Sequence, residues 1–303
     1  MCEDTQTQGS GNRSIGTLSG SIRSGRILIG IEAAAGPSGT FAIAYIDSSG
    51  LHEIPSIADW TTAHPTWETQ NTIVFDSERA GDRNLFRADI SDSSVTQITS
   101  TFRVGEEKAA VLGDGRLVHD EYSCAEMSDF GLHITSADGS SDMQLTPTQA
   151  VGNPAFDTSP AVSPDGHTIV FVRNVDDNVG ALFTIDAAGG DVVRLTPDSR
   201  GVEYPRWSPD GNTILFDQTP SGGSSDVWTV PAAGGDAKQV THSAGGALRW
   251  EADWSPDGTQ IVLKYYEPGW RYNALHIADA DGSNETVLWT GDYSTAETPH
   301  WDP

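Results

Sequence analysis

Basic residues are scarce in this chain. Of 303 residues, 17 are Lys or Arg, and Lys occurs only at Lys108, Lys238 and Lys264, while 43 are acidic, giving a formal net charge of −26. A field of that sign repels phosphate backbones and anionic headgroups, which argues against nucleic acid and anionic membrane surfaces as partners. It suits a cation, a basic peptide or plain solubility, and a salt-adapted or GC-rich source would produce the same bias. Cysteine is nearly absent: Cys2 and Cys124 cannot make a disulfide framework or a zinc site. No apolar run approaches the roughly 18 residues a membrane-spanning helix needs. No signal peptide is recognisable, and no stretch carries a convincing helical period.

Cys2 follows directly on Met1, and the stretch from Glu3 to Gly20 is rich in Ser, Gly, Thr, Gln and Asn. That pattern fits a lipoprotein whose leader has been replaced by Met, leaving a lipid anchor at Cys2 on a flexible tether. An ordinary disordered N-terminus with an incidental cysteine is the bland alternative. Residues 1–23 are accordingly expected to be a flexible tail or tether, and the location periplasmic or extracellular.

What is present is a repeat. Three stretches are nearly one sentence: Tyr204 to Phe216, Ala252 to Leu263 and Ser159 to Phe171 each carry Ser-Pro-Asp-Gly before an apolar run. Trp207, Trp254 and Trp301 stand at a spacing of 47 residues. A second half-motif ends in a Gly-Gly or Asp-Gly turn (Ala181 to Gly190, Asp226 to Gly235, Ala274 to Gly282), and a short run then closes on Thr196, Thr241 or Thr290. The apolar runs are too short for helices and are bounded by turn residues. In Ser-Pro-Asp-Gly, Pro presets φ, Asp bonds the local backbone and Gly accepts positive φ. Each unit therefore reads as a four-stranded meander, and the period is that of a propeller blade.

Degenerate copies begin at His64 and Glu107, with Trp67 and Val111 in the Trp position, and make five complete blades. The sixth is split. The chain ends at Thr298-Pro-His-Trp-Asp-Pro303, a repeat cut inside its first turn. Ser24 to Ile29, Phe41 to Asp47 and Leu51 to Pro55 supply the missing strands. The expected fold is all-β: a six-bladed β-propeller over residues 24–303, its last blade closed by N- and C-terminal strands.

Trp-Ser-Pro-Asp-Gly followed by Ile-x-Phe, a Gly turn and a closing Leu-Thr resembles the WD40-like (PD40) propeller repeat of the TolB family. The resemblance covers about residues 24 to 303. It implies the propeller fold of periplasmic TolB, shared with prolyl-oligopeptidase-type peptidases and oligogalacturonate lyases. Two departures matter. TolB carries an α/β domain before its propeller, where this chain has only about twenty tail residues, and the Gly-x-Ser-x-Gly elbow of the peptidases is missing.

In propellers the starts of the innermost strands cluster at one mouth of the channel. Four residues before the Trp position stand Glu107, Glu203 and Glu297, with Glu251 three before, so carboxylates from four blades are expected to converge. A divalent cation such as Ca2+, or a basic group, would relieve their repulsion. His64 and His300 could add nitrogen ligands, and Tyr204 and Arg206 stand beside them. Pairing of the glutamates with Arg206, Arg249 or Lys108 is the structural alternative. The Glu267-Pro-Gly-Trp-Arg-Tyr272 loop puts Trp270 forward for partner contact. The aspartates of the Ser-Pro-Asp-Gly turns and Asp279-Ala-Asp-Gly282 read as turn formers, and Trp207, Trp254 and Trp301 as interblade packing.

The expected function is a non-catalytic, monomeric binding module that presents its channel mouth to a protein, peptide or cation. A metal-dependent polysaccharide lyase with its site in the channel is one alternative, and an assembly platform in an envelope complex is another.

Overall fold

A computed structural model describes residues 17–20, 22, 25–32, 41–59, 62–123, 128–146, 156–176, 179–220, 223–269, 274–290 and 297–302. Cys2, Cys124 and Trp270 lie outside them. The described residues form strands and turns, with no helix among them. After β1 (Thr17–Leu18) come β2 (Ile27–Glu32), β3 (Phe41–Asp47) and β4 (Gly50–Asp59). The first complete blade is β5 (Ala63–Trp67), β6 (Thr72–Ser77), β7 (Asn84–Asp89) and β8 (Ser94–Gln97). The second is β9 (Val104–Val111), β10 (Leu117–Ser123), β11 (Ser128–Thr135) and β12 (Asp142–Gln144). The third is β13 (Phe156–Val162), β14 (Thr168–Asp176), β15 (Val179–Asp186) and β16 (Val193–Arg194), with β17 (Ser199–Arg200) added beside β15. The fourth is β18 (Glu203–Trp207), β19 (Thr213–Gln218), β20 (Asp226–Pro231) and β21 (Lys238–Gln239). The fifth is β22 (Leu248–Trp254), β23 (Gln260–Tyr266), β24 (Ala274–Asp279) and β25 (Thr286–Thr290). The sixth is β26 (Glu297–Trp301) hydrogen-bonded to β2, then β3 and β4.

The fold is thus an all-β, six-bladed propeller of antiparallel four-stranded blades, closed where β26 pairs with β2. The stretch expected to be a flexible tail contributes a strand of its own: Thr17 and Leu18 pair with Thr290 and Trp289 and widen the fifth blade.

The repeat motif maps onto bonds. In the three intact turns, Ser163, Ser208 and Ser255 donate to Asp165, Asp210 and Asp257 at 2.6–2.7 Å, and each serine oxygen accepts a backbone N–H five residues on. The closing threonines have an equally local task. Thr99, Thr146, Thr196 and Thr241 each accept the N–H of the residue fourteen positions earlier (Leu85, Leu132, Leu182 and Val227), at 2.9–3.0 Å. This pins the outer strand to the third. Trp67 and Trp207 donate their indole N–H to the carbonyls of His300 and Ala161 in the preceding blade, which for Trp207 is the interblade role expected of it.

The apolar core is six wedges, one between each pair of neighbouring blades. The alternation of each strand gives one face to each neighbour, so every blade is buried on both sides. Turn geometry at a wedge is exacting. Gly139 has φ +71°, and a Cβ there would overlap the carbonyl oxygen of Ile98 in the first blade. Gly139→Ala is expected to cost about 2 kcal/mol or more, part from the left-handed backbone and part from displacing that strand. Urea unfolding would show it as a lower midpoint; an unchanged midpoint would mean the turn relaxes freely.

Candidate functional site

Every innermost strand begins with the same irregularity. The pairing register shifts between the residues four and one before the Trp position: Ala63/Thr66, Glu107/Ala110, Thr158/Ala161, Glu203/Arg206, Trp250/Asp253 and Glu297/His300. In five blades the residue three before the Trp position has positive φ: His64 (43°), Lys108 (53°), Ser159 (56°), Tyr204 (48°) and Glu251 (49°). A non-glycine residue in the left-handed region costs about 1–2 kcal/mol, so five in register mark a surface built at the expense of stability.

Three bulged amides are caught by aspartates of the preceding blade. Lys108 N–H donates to Asp76 (3.3 Å), Ser159 N–H to Asp120 (2.9 Å) and Glu251 N–H to Asp217 (2.7 Å). Asp76, Asp120 and Asp217 hold one equivalent place in β6, β10 and β19, and all three are buried. None of the three belongs to the Trp-Ser-Pro-Asp-Gly motif or to the innermost strand starts. Their signal was an acid directly after the apolar run of the second strand, as in Phe75-Asp76 and Phe216-Asp217.

Their surroundings differ. Asp76 meets His64 Nδ1 at 2.8 Å and Arg83 Nη1 at 2.5 Å. Burial pushes its carboxyl up, but these two partners outweigh it and hold Asp76 at about 2. His64 is raised because Asp76 overcomes its own burial. Burial lifts Asp120 to about 6 against the pull of Lys108, whose Nζ lies 3.6 Å away. Asp217 is raised well above the usual carboxylate range, by burial first and by nearby Glu251 and Glu203 as well, although the Glu251 amide opposes.

Beside this layer the channel opens into a cavity of about 760 Å3, lined by the bulged strand starts and by the turn ends of the blades. His64, Tyr204, Arg206 and His300 line it, together with Lys108, Ser159 and Asp253. Glu107, Glu203 and Glu251 are not among its lining residues. Glu107 lies between Lys108 (3.8 Å) and Arg83 (3.9 Å). Glu251 pairs with Lys264 at 3.0 Å, a partner the sequence did not suggest. Glu203 is exposed beside them. Glu297 lies at the start of β26, opposite Gly30.

The two channel histidines are unlike. His300 accepts the Trp67 N–H at 3.4 Å, and burial lowers it to about 4, with Asp253 opposing and Arg206 adding, so it is neutral at pH 7. His64 is locked to Asp76. Arg206 spends one N–H on the Pro205 carbonyl at 3.1 Å, while its Nε is buried without an acceptor. It makes no ion pair among the described residues. Ser159 and Ser163 bond Thr158 and Asp165, so neither cavity serine meets a histidine.

These features define a six-bladed propeller with a pocket in its central channel whose largely apolar wall carries a few polar groups. The family described as the TolB beta propeller domain matches residues 148–303, just over half of the sequence, and the chain belongs to that family. Among curated proteins no sequence matches it. Similar solved structures include TolB from Acinetobacter baumannii (20% identity, TM-score 0.75, covering 94% of this chain and 68% of that one). Putative TolB from Agrobacterium tumefaciens is similar too (19%, 0.66, 91% and 95%). So is an oligogalacturonate lyase in complex with manganese (16%, 0.55, 73% and 62%). At these identities the likeness is one of fold. No helix among the described residues is long and apolar enough to cross a membrane.

Proposed function

We propose that this propeller is a non-catalytic binding module, acting outside the cytoplasm, that takes a carboxylate-bearing segment of a protein or peptide into its channel. The observation that carries this reading is Arg206: a half-buried guanidinium on the cavity wall whose Nε has no acceptor. An unmet buried donor is costly, and a planar guanidinium is matched by a carboxylate. Neutral His300 and Tyr204 beside it offer further polar contacts without added charge. The strained strand starts supply a rigid frame, which limits what binding must order.

The test is selection of random phage-displayed peptides on the immobilised protein, followed by titration of the enriched peptides. Peptides rich in Asp, Glu or a free C-terminal carboxylate should emerge, and Arg206→Gln should weaken them about tenfold or more, in line with loss of a charged hydrogen bond. No enrichment, or affinities indifferent to Arg206, would refute the reading.

A second reading, a divalent cation such as Ca2+ at the channel, is favoured by one grouping: ligand atoms of His64, Asp76 and Glu107 within 4.8 Å of one another. Against it, Arg83 already lies on Asp76 and near Glu107, so an added cation would have to displace a guanidinium. This also leaves the metal-dependent lyase reading without a clear seat. A Ca2+-dependent rise in Tm that Glu107→Gln abolishes would favour the cation over the peptide.

A further inference from the structure

The wedge between the first and second blades breaks the pattern of its neighbours. Where the second and third strands of a blade face the preceding one, the first blade carries Phe75 and Phe86 and the third Phe171 and Phe183, stacked at 5.7 and 6.0 Å. The fourth pairs Phe216 with Trp228. In the second blade these register partners are His119 and His133, with ring centroids 6.2 Å apart.

The departure continues two residues along β10, where it pairs with the innermost strand β9. Where the third blade joins Asp157 to Arg173 at 2.7 Å, the second sets Glu106 opposite Glu121. Like charges directly opposite destabilise a sheet. Asp142 of β12 completes the group. Its Oδ2 lies 2.7 Å from His133 Nδ1, its Oδ1 3.7 Å from His119 Nε2, and Glu121 Oε2 lies 3.2 Å from His133 Nδ1. No Lys or Arg pairs with these carboxylates among the described residues, in contrast to the channel. Burial raises both Glu106 and Glu121 above their ordinary values.

We propose that His119, His133, Glu121 and Asp142 bind a divalent transition metal of the zinc class between the first two blades. Two imidazoles with two carboxylates suit a borderline cation in tetrahedral geometry, and the charges cancel. Ligand atoms of His119, Glu121 and Asp142 lie within 4.8 Å of one another, so modest side-chain movement suffices. The outer contacts are in place as well. His119 Nδ1 faces the Asp120 carbonyl at 3.1 Å, and its Nε2 lies 2.8 Å from Thr135 Oγ1, so a metal would take the place of the proton that Nε2 now shares with that hydroxyl. Thr135 donates to Asp142 at 2.8 Å and orients it. The metal would tie β10, β11 and β12 together where this wedge lacks the aromatic pair of its neighbours.

The experiment uses the full chain without an affinity tag, stripped of metal and titrated with Co2+ and then Zn2+. One equivalent should bind, the d–d absorption of tetrahedral Co2+ should appear and be quenched by Zn2+, and Tm should rise. The double variant His119→Phe/His133→Phe, which restores the ring pair of the third blade, should fold and lose the band. Glu121→Gln, a milder change should that variant fold poorly, should weaken binding about tenfold or more. His64→Ala should bind as wild type. Absence of stoichiometric binding would overturn the proposal, as would binding that survives loss of both imidazoles or disappears with His64. The result is independent of the peptide reading, which Arg206→Gln tests at a separate place.

Discussion

Deletion of residues 297–303 is expected to abolish the single cooperative thermal transition of this protein. β26 is the innermost strand of the sixth blade, and its pairing with β2 closes the ring. Its removal takes away buried Trp301, whose truncation alone would cost about 3–5 kcal/mol. It also removes contacts across two blade boundaries. Asp253 accepts the Trp301 N–H at 2.8 Å, the His300 carbonyl accepts the Trp67 indole at 3.2 Å, and Asp302 accepts from Arg26 N and Nε at 2.7 and 2.9 Å. Arg26 in turn lies over the Trp67 ring at 4.3 Å. The open edge of β2 would then be free to pair with another chain. Scanning calorimetry should show a broad or absent transition with aggregation. Trp301→Ala should keep a single transition lowered by about 10 °C, using the usual conversion for a large domain. A deleted chain that still melts cooperatively within a few degrees of wild type would show that the ring does not depend on this closure.

Asp76→Ala carries the second large effect. The carboxylate is fully buried and serves His64, Arg83 and the Lys108 amide together. Removing it takes from Arg83 its shortest ion pair, leaving Glu78 at 3.3 Å and Glu107 at 3.9 Å, and strips His64 and the Lys108 amide of their acceptor; breaking a buried pair in this way costs about 3–5 kcal/mol. The loss should depend on pH. Asp76 titrates at about 2 in the folded chain against an ordinary value of 3.8. Its contribution is therefore present in full above about pH 4, and falls away as pH drops through the folded value. His64 is raised by the same contact, so its share is complete below its ordinary 6.5 and fades as pH rises through the folded value. Urea unfolding at pH 5 should separate wild type from Asp76→Ala widely, and at pH 2 the gap should shrink by about 1 kcal/mol or more. A gap that stays constant from pH 5 to pH 2 would mean that Asp76 acts through packing rather than charge.

Much of the ring was legible because a propeller is a local code repeated. The turn chemistry of Ser163, Ser208 and Ser255, the closing threonines and the interblade tryptophans all act within one blade or on the next, so their spacing in sequence is their spacing in space. The blade count and the closure of the last blade followed from that register. The glutamates show where the register stops helping. Glu107 and Glu203 share a sequence column next to residues that do line the cavity, yet a bulge between the columns turns neighbouring side chains to different surroundings. Asp76, Asp120 and Asp217 were hidden for a related reason: an acid at the end of an apolar strand looks like the start of a loop until the amide it receives is seen in the next blade.

The sequence by itself determined the architecture of this protein, since hydrophobic alternation and turn residues repeat at a blade's length and leave few other ways to bury both faces of each meander. Only the tertiary structure decided which polar residues meet. His119 and His133 are fourteen residues apart and Glu106 and Glu121 fifteen, distances that carry no metal-ligand signature. Antiparallel pairing brings each pair directly opposite, and the curvature of the ring sets them against a neighbouring blade. The same closure, not any local motif, places Arg206 and His300 from two blades on one cavity wall.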